Sequence, residues 1–452
     1  MSERILVVGA NHAGTACINQ IFSLNPNADV TVLDKNTNIS FLGCGMALWI
    51  GNQITTGDGL FYSSKEMLEE KGAKIHLEAE VTEIDYSKKV TKYLDKNGQE
   101  HEVPYDKLVL ATGSRPVWPA IPGLELENIQ KAKIYQDAQK AVSQIQDDPS
   151  IQKVTVVGAG YIGAELAEAY ALRGKEVTLI DALDRILGTH YDKDFSDVMA
   201  DRLRENGIKI QLGEKVEKFE GQTKVEAVVT DKGRYETDLV MFCIGFRPNN
   251  ELAGDHLKLF KNGAIEVDLR QETSEKDVYA IGDCATVFDN SIDQKNYIAL
   301  ATNAVRSGLV AAFNVCGLEV ESVGVQGSSA LNLYGLKMVS TGKTVDTAAK
   351  HGIEALETSF SDLQKPAFMN EVGPNPEVKI RVVYRKDNHQ IIGAQLMSEF
   401  DMSAVIHMFS LAIQEKVTLE RLALLDIFFM PHFNQPYNYI TMANFLGLMD
   451  NL

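Results

Sequence analysis

The feature that leaves this chain the fewest choices is a short apolar run ending in a glycine turn, followed by a helical stretch and a second apolar run ending in an acid. It occurs twice. The first copy reads Ile5-Leu-Val-Val8, Gly9-Ala-Asn-His-Ala-Gly14, helical apolar positions at Ile18, Ile21 and Phe22, then Val30-Thr-Val-Leu33 and Asp34. The second reads Val154-Thr-Val-Val157, Gly158-Ala-Gly160-Tyr-Ile-Gly163, then Val177-Thr-Leu-Ile180 and Asp181. Each is a βαβ unit in which glycines let the backbone approach a pyrophosphate at a helix N-terminus, while the strand-end acid reaches a ribose hydroxyl. Two dinucleotide sites are expected in one chain. Asn11 stands where such a turn normally keeps its middle glycine, and a side chain there is expected to restrict the close approach.

A chain of 452 residues has room for about three domains at roughly 150 residues each. Its 44 Lys and Arg against 62 Asp and Glu give a net charge of -18, which opposes binding to nucleic acid or to an anionic lipid surface. No apolar run of about 18 residues is present, and Ile5 to Val8 is interrupted too soon to serve as a secretory signal. A cytoplasmic protein is expected. The five cysteines are scattered, odd in number and without CxxC or CxxxxC spacing, which argues against structural disulfides and a cysteine metal site.

Three further segments place a glycine at the end of an apolar run: Lys107 to Ser114, Leu239 to Pro248, and Asp277 to Asp283. Ligands of open α/β sheets bind at such strand ends. From about Gln326 the pattern shifts to runs that read as antiparallel strands, Lys379 to Tyr384 and Gln390 to Leu396, and then to a helix over Ser403 to Lys416. Asp181 favours NADH, because a carboxylate accepts from a 2′-hydroxyl and repels a 2′-phosphate, although Arg185 nearby keeps NADPH use open. Glu165, in the second helix, suits either a buried ion pair or a nicotinamide contact.

The segment Asn38 to Trp49 carries Cys44 between two glycines and ahead of a helix-capable run, Met46 to Ile50. A thiol at a helix N-terminus is stabilised as thiolate and is reactive. The other four cysteines, Cys17, Cys243, Cys284 and Cys316, read as small buried hydrophobes.

Together, the doubled unit, Ser40-Phe-Leu-Gly-Cys44-Gly45, Ala111-Thr-Gly113, Gly282-Asp283 and Leu300-Ala-Thr-Asn303 resemble the single-cysteine branch of the FAD-dependent pyridine nucleotide-disulfide oxidoreductase superfamily. That branch holds water-forming NADH oxidases, NADH peroxidases and coenzyme A disulfide reductases. The resemblance implies an α/β fold with two Rossmann-like domains, for FAD and NAD, plus an α+β C-terminal dimerisation domain. It divides the chain into 1–117 (FAD, first part), 118–246 (NAD), 247–325 (FAD, second part) and 326–452 (interface).

Carried over residue by residue, the resemblance assigns Gly9, Ala10, Asn11, His12, Ala13, Asp34 and Lys35 to the pyrophosphate and adenosine ribose of a tightly held FAD. Val81, Lys133, Cys44, Ala111, Thr112, Gly113 and Ser114 join them, with Asp283 on the ribityl chain and Leu300, Ala301 and Thr302 along the flavin. Tyr161 is expected over the isoalloxazine, and Phe429 in the stretch Phe428 to Pro436 is expected to reach the partner subunit's flavin. NADH is assigned to Gly160, Ile162, Gly163 and Asp181, with Gly245, Ala299 and Ala330 toward its nicotinamide and His190 or Tyr191 toward its adenosine. Cys44 is the implied redox centre, cycling between thiolate and sulfenic acid, with His12 beside it as a general acid of near-neutral pKa.

The implied reaction is reduction of O2 to water by two NADH in a homodimer, with a tetramer left open. A peroxidase taking H2O2 from outside uses the same residues but keeps an arginine where this chain has Val305. A coenzyme A disulfide reductase and, in a different class, a flavin redox sensor stand behind it.

Overall fold

In both glycine turns the backbone leaves no room for a side chain. The first unit consists of β1 (Arg4–Val8), α1 (His12–Leu24) and β2 (Asp29–Asp34). The second consists of β3 (Lys153–Val157), α2 (Tyr161–Leu172) and β4 (Glu176–Asp181). The computed structural model describes residues 3–449. A Cβ on Gly9 would lie 2.3 Å from the Ala111 carbonyl oxygen, and one on Gly158 would lie 2.4 Å from that of Cys243. One helical turn later, Cβ atoms on Gly14 and Gly163 would sit 1.9 and 1.8 Å from the carbonyl oxygens of Gly9 and Gly158. Each helix therefore starts hard against the end of its strand.

The middle position of the turn is different. A Cβ on Gly160 would meet nothing within 4 Å, which explains how the first turn accommodates Asn11, exposed and directly before α1. The protein itself imposes no restriction at that position, so any restriction by Asn11 falls on the ligand side of the turn.

Each unit anchors an all-parallel five-stranded sheet. In the first, the order is Val278–Ala280, Lys107–Leu110, β1, β2, Lys74–Leu77. In the second, it is Lys209–Leu212, β4, β3, Leu239–Phe242, Ile129–Gln130. Both central strands are buried over four consecutive residues, Ile5–Val8 and Val154–Val157, as strands covered on two faces require. Because β2 and Lys107–Leu110 flank β1 on opposite sides, the crevice at its carboxyl end is a topological switch point, and the same holds for β3.

A third five-stranded sheet, entirely antiparallel, runs in the order Ser329–Leu333, Leu336–Gly342, Ile391–Ser398, Glu377–Arg385, Ala355–Leu363. The helices Ser403–Gln414 and Tyr439–Met449 share an apolar core with it. The helix expected to reach Lys416 stops two residues short, because Lys416 adopts a left-handed φ of 52° and its N–H bonds back to the Ile413 carbonyl. Among the described residues, no helix is long and apolar enough to cross a membrane.

Candidate active site

The carboxyl ends of β1 and β3 open into one cavity of about 2120 Å³. That is roughly twice the upper end of an ordinary small-molecule pocket and is room for two extended ligands. Glycine turns, strand-end acids and the segments Ala111–Ser114, Gly245, Gly282–Asp283 and Ala299–Thr302 all line it.

The two acids are held alike. Asp34 Oδ2 accepts the Ala10 N–H at 2.7 Å, and its Oδ1 accepts from the backbone and side chain of Asn36 at 2.8 and 3.0 Å. Asp181 Oδ2 accepts the Ala159 N–H at 2.5 Å and Oδ1 that of Leu183 at 2.8 Å. In each unit the acid is tied to the residue after the first glycine, so the phosphate turn and the ribose end are fixed by one contact. Burial pushes the Asp34 carboxyl above its ordinary range against the pull of these donors.

A second cluster joins three distant stretches. Ser114 Oγ donates to Asp283 Oδ2 at 2.8 Å, while Lys133 Nζ donates to Ser114 Oγ at 2.9 Å and lies 3.2 Å from Asp283 Oδ2. The same ammonium sits 4.5 Å from the centre of the Phe246 ring. Asn249 clamps the Ala111–Gly113 turn from across the chain, its Nδ2 donating to the Thr112 carbonyl at 2.7 Å and its own carbonyl accepting from Thr112 Oγ1 at 3.0 Å.

Cys44 is exposed and lines the cavity, whereas Cys17 and Cys284 are buried and Cys243 and Cys316 are partly so. Burial pushes all four of the latter thiols up, Cys243 to about 12. Cys44 lies in a single turn, Gly43–Gly45, ahead of a helix of only five residues, Met46–Ile50. The helix expected after Cys44 is present but short, so its dipole is correspondingly limited. What distinguishes this sulfur is its exposure within the cavity, which Cys243 also lines but from a partly buried position. His12, at the first position of α1, lines the same space; its Nδ1 is 3.1 Å from the Tyr62 hydroxyl and the two rings are parallel. Burial holds His12 below the ordinary imidazole range, with Asp283 opposing that shift, so its pKa lies lower than the near-neutral value expected from sequence.

Tyr161 opens α2, and its hydroxyl bonds to Ser329 at 2.7 Å and to Tyr191 at 3.2 Å, with its ring 4.6 Å from that of His190. Glu165, one turn on, also lines the cavity. Among the described residues no cation pairs with it, which removes the ion-pair alternative. Burial, reinforced by Glu168, pushes it up to about 7.

Of the residues assigned to FAD or NADH from the sequence, four do not line the cavity: Ala10, Gly163, Tyr191 and Phe429; Val305, half-buried, does not line it either. Ala10 is buried behind the turn and contributes its N–H to Asp34, Gly163 makes the strand–helix contact, and Tyr191 is fully buried beneath Tyr161. Phe429 is exposed in the C-terminal stretch with Phe428, Met430 and Phe433, away from this chain's own cavity. The others, from Gly9, Asn11, Ala13, Lys35 and Val81 to Ile162, Leu300 and Ala330, lie on its wall. Arg185, expected near Asp181, lines it, and so do Lys343 and Asn249, which were not assigned to it from sequence. Asn249 directly follows one of the glycine-ended segments, but Lys343 directly follows a strand of the antiparallel sheet, Leu336–Gly342, and no local pattern marks it.

Residues 3–308 match the sequence pattern described as pyridine nucleotide-disulphide oxidoreductase, and residues 312–438 match that family's dimerisation domain. The chain belongs to this family. It is 52% identical over 98% of both chains to an NADH oxidase of Streptococcus pneumoniae and 48% identical to one of Lactococcus lactis, covering 97% of this chain and 99% of that one. A solved structure of a water-forming NADH oxidase from Lactobacillus brevis, bound to NADH, superposes with a TM-score of 0.95 at 40% identity over 99% of both chains. Family membership confirms the two Rossmann-like domains and the C-terminal dimerisation domain expected from the resemblance.

Two outcomes follow for this family member. Replacing Asp283 with Ala leaves Ser114 and Lys133 without this acceptor and removes a carboxylate from the cavity wall, at about 1–3 kcal/mol per lost bond. The purified variant should retain less FAD, read from its absorbance ratio; undiminished content would contradict the assignment. Glu165 has a folded pKa raised from 4.5 to about 7. Its stabilising contribution is therefore complete below the unfolded value and lost as pH rises through about 7. Glu165→Gln should accordingly gain in thermal midpoint relative to the wild type between about pH 5 and 8, whereas parallel midpoint curves would show that the carboxyl is not shifted.

Proposed function

We propose that this protein is an FAD-dependent NADH oxidase that reduces O2 to water, consuming two NADH per O2, and works as a homodimer. The observation that carries the reading is a single exposed thiol, Cys44, in the same cavity as two complete dinucleotide cradles. The family and its NADH oxidase relatives support it.

The residues present fit both ligands. FAD would lie along the β1–α1 turn, Asp34, Ala111–Ser114, Lys133 and Asp283, and NADH along the β3–α2 turn, Ile162, Asp181 and Gly245. When bound, FAD supplies the chemistry of accepting an electron pair from NADH and passing it to oxygen. Asp283 and Lys133 orient it, and Tyr161, anchored by Ser329 and Tyr191, holds an aromatic ring at the start of α2 beside the nicotinamide path.

The task left to the protein is to keep reduced oxygen from escaping as peroxide. Cys44 thiolate attacks one oxygen of a peroxide held in the cavity, the O–O bond breaks, and sulfur leaves the step as sulfenic acid. The other oxygen takes a proton and departs as water. His12, on the same cavity wall with its Nδ1 3.1 Å from the Tyr62 hydroxyl and its pKa held below the ordinary imidazole range by burial, is the group that supplies this proton. The second electron pair returns sulfur to thiolate and releases the second water.

Cys44→Ser tests the division of labour. A serine hydroxyl is scarcely ionised at neutral pH and cannot form the sulfenic acid. The variant should still bind FAD and consume O2, but should release H2O2 and lower its NADH:O2 ratio from about two toward about one. Continued production of water alone would make Cys44 a bystander.

A further inference from the structure

NADH and NADPH differ only by a phosphate on the 2′ oxygen of the adenosine ribose, so the charges around that carbon decide which is used. Asp181 closes β4 there and opposes the phosphate. Four residues on, Arg185 lines the same cavity, and a guanidinium is the group that takes up a 2′-phosphate in dinucleotide sites. From the sequence alone these two residues point in opposite directions.

The structure shows the arginine already engaged. Arg185 Nη2 donates to Asp346 Oδ2 at 2.9 Å, and its Nε lies 3.7 Å from Asp184. Beyond α3 (Ala301–Val315), Asp346 lies in the short helix α4 (Val345–Ala349) of the C-terminal part of the chain. It reaches Arg185 across 161 sequence positions. The arginine side chain is 21% exposed and the aspartate 61%. The aspartate therefore approaches from the solvent side, while the arginine is packed into the wall. Thr347, the next residue of α4, is part of that wall, and Asp346 is not.

We propose that Asp346 is a specificity-determining residue that acts by positioning Arg185: it holds the guanidinium away from the 2′ position and leaves the repulsion from Asp181 unopposed. This rests on NADH being the electron donor of the proposed reaction. A pair this exposed is weak, so the bias it imposes is a few-fold preference that adds to that of Asp181. Lys215 also lines the cavity, beside Glu214, whose N–H bonds the Asp181 carbonyl at 3.0 Å. It is the same in every variant compared below.

The test compares Asp181→Ala, Asp181→Ala with Asp346→Asn, and the same pair with Arg185→Gln, all as holoenzyme. Ferricyanide serves as acceptor, so that the result does not hinge on how oxygen is reduced. Adding Asp346→Asn should lower the KM for NADPH about three- to fivefold at unchanged kcat and leave the KM for NADH where it was. Adding Arg185→Gln should cancel that gain, and the gain should shrink at high salt as screening weakens the arginine–phosphate attraction. An unchanged KM for NADPH on adding Asp346→Asn would overturn the proposal, as would a gain that survives without Arg185. So would Asp346→Asn alone slowing NADH oxidation, because that would mark the residue as a mere structural support of α4.

Discussion

The close contact between a helix start and the end of its own strand sets everything else in this molecule. With Gly14 against the Gly9 carbonyl, and Gly163 against that of Gly158, each helix N-terminus sits directly over a sheet's carboxyl edge. The first turn of α1 and of α2 therefore directs its unpaired N–H groups into the crevice. The acids at the ends of β2 and β4 are then the right distance away to bind the N–H of the residue after the first glycine, which fixes ribose and phosphate ends together. Had either glycine carried a side chain, helix and strand would part by more than 1 Å and both contacts would be lost.

Two such units make two ligand sites, but a reaction needs them joined; one buried apolar cluster runs through Met46, Ile50, Leu166, Tyr170, Leu331 and Met338, and charges from the C-terminal part add to it. Arg381 of the antiparallel sheet, itself well buried, faces Asp192, Asp194 and Glu357, and Gln395 bonds Asp192 from a neighbouring strand. Lys343, on the cavity wall, pairs at 2.6 Å with the fully buried Asp289, which Asn296 also satisfies. Removing one member of so buried a pair costs about 3–5 kcal/mol, because the other is left uncompensated. The C-terminal part of the chain is thus a wall of the active cavity as well as the surface that carries the exposed Phe428, Phe429, Met430 and Phe433.

Much of this was legible in the sequence because it depends on short-range pattern. Apolar runs ending in glycine or aspartate marked both parallel sheets, and the Cys44 segment stood out by its flanking glycines. Local pattern failed where the determining contact is long-range. The true end of the helix before Lys416 depended on one left-handed residue. His12 and Cys44 could be placed together from family resemblance, but not the Tyr62 hydroxyl at 3.1 Å, which comes from a loop 50 positions on. Nor could sequence reveal that Arg185 is taken up by Asp346, since nothing in either neighbourhood points to the other.

In the proposed reaction oxygen leaves this cavity only as water. Measuring NADH and O2 consumption together in the purified wild-type holoenzyme, with H2O2 assayed in the same vessel, is the direct test. The expected result is about two NADH per O2 with no peroxide accumulating. A ratio near one with stoichiometric peroxide, or no oxygen uptake alongside rapid peroxide-dependent NADH oxidation, would contradict it.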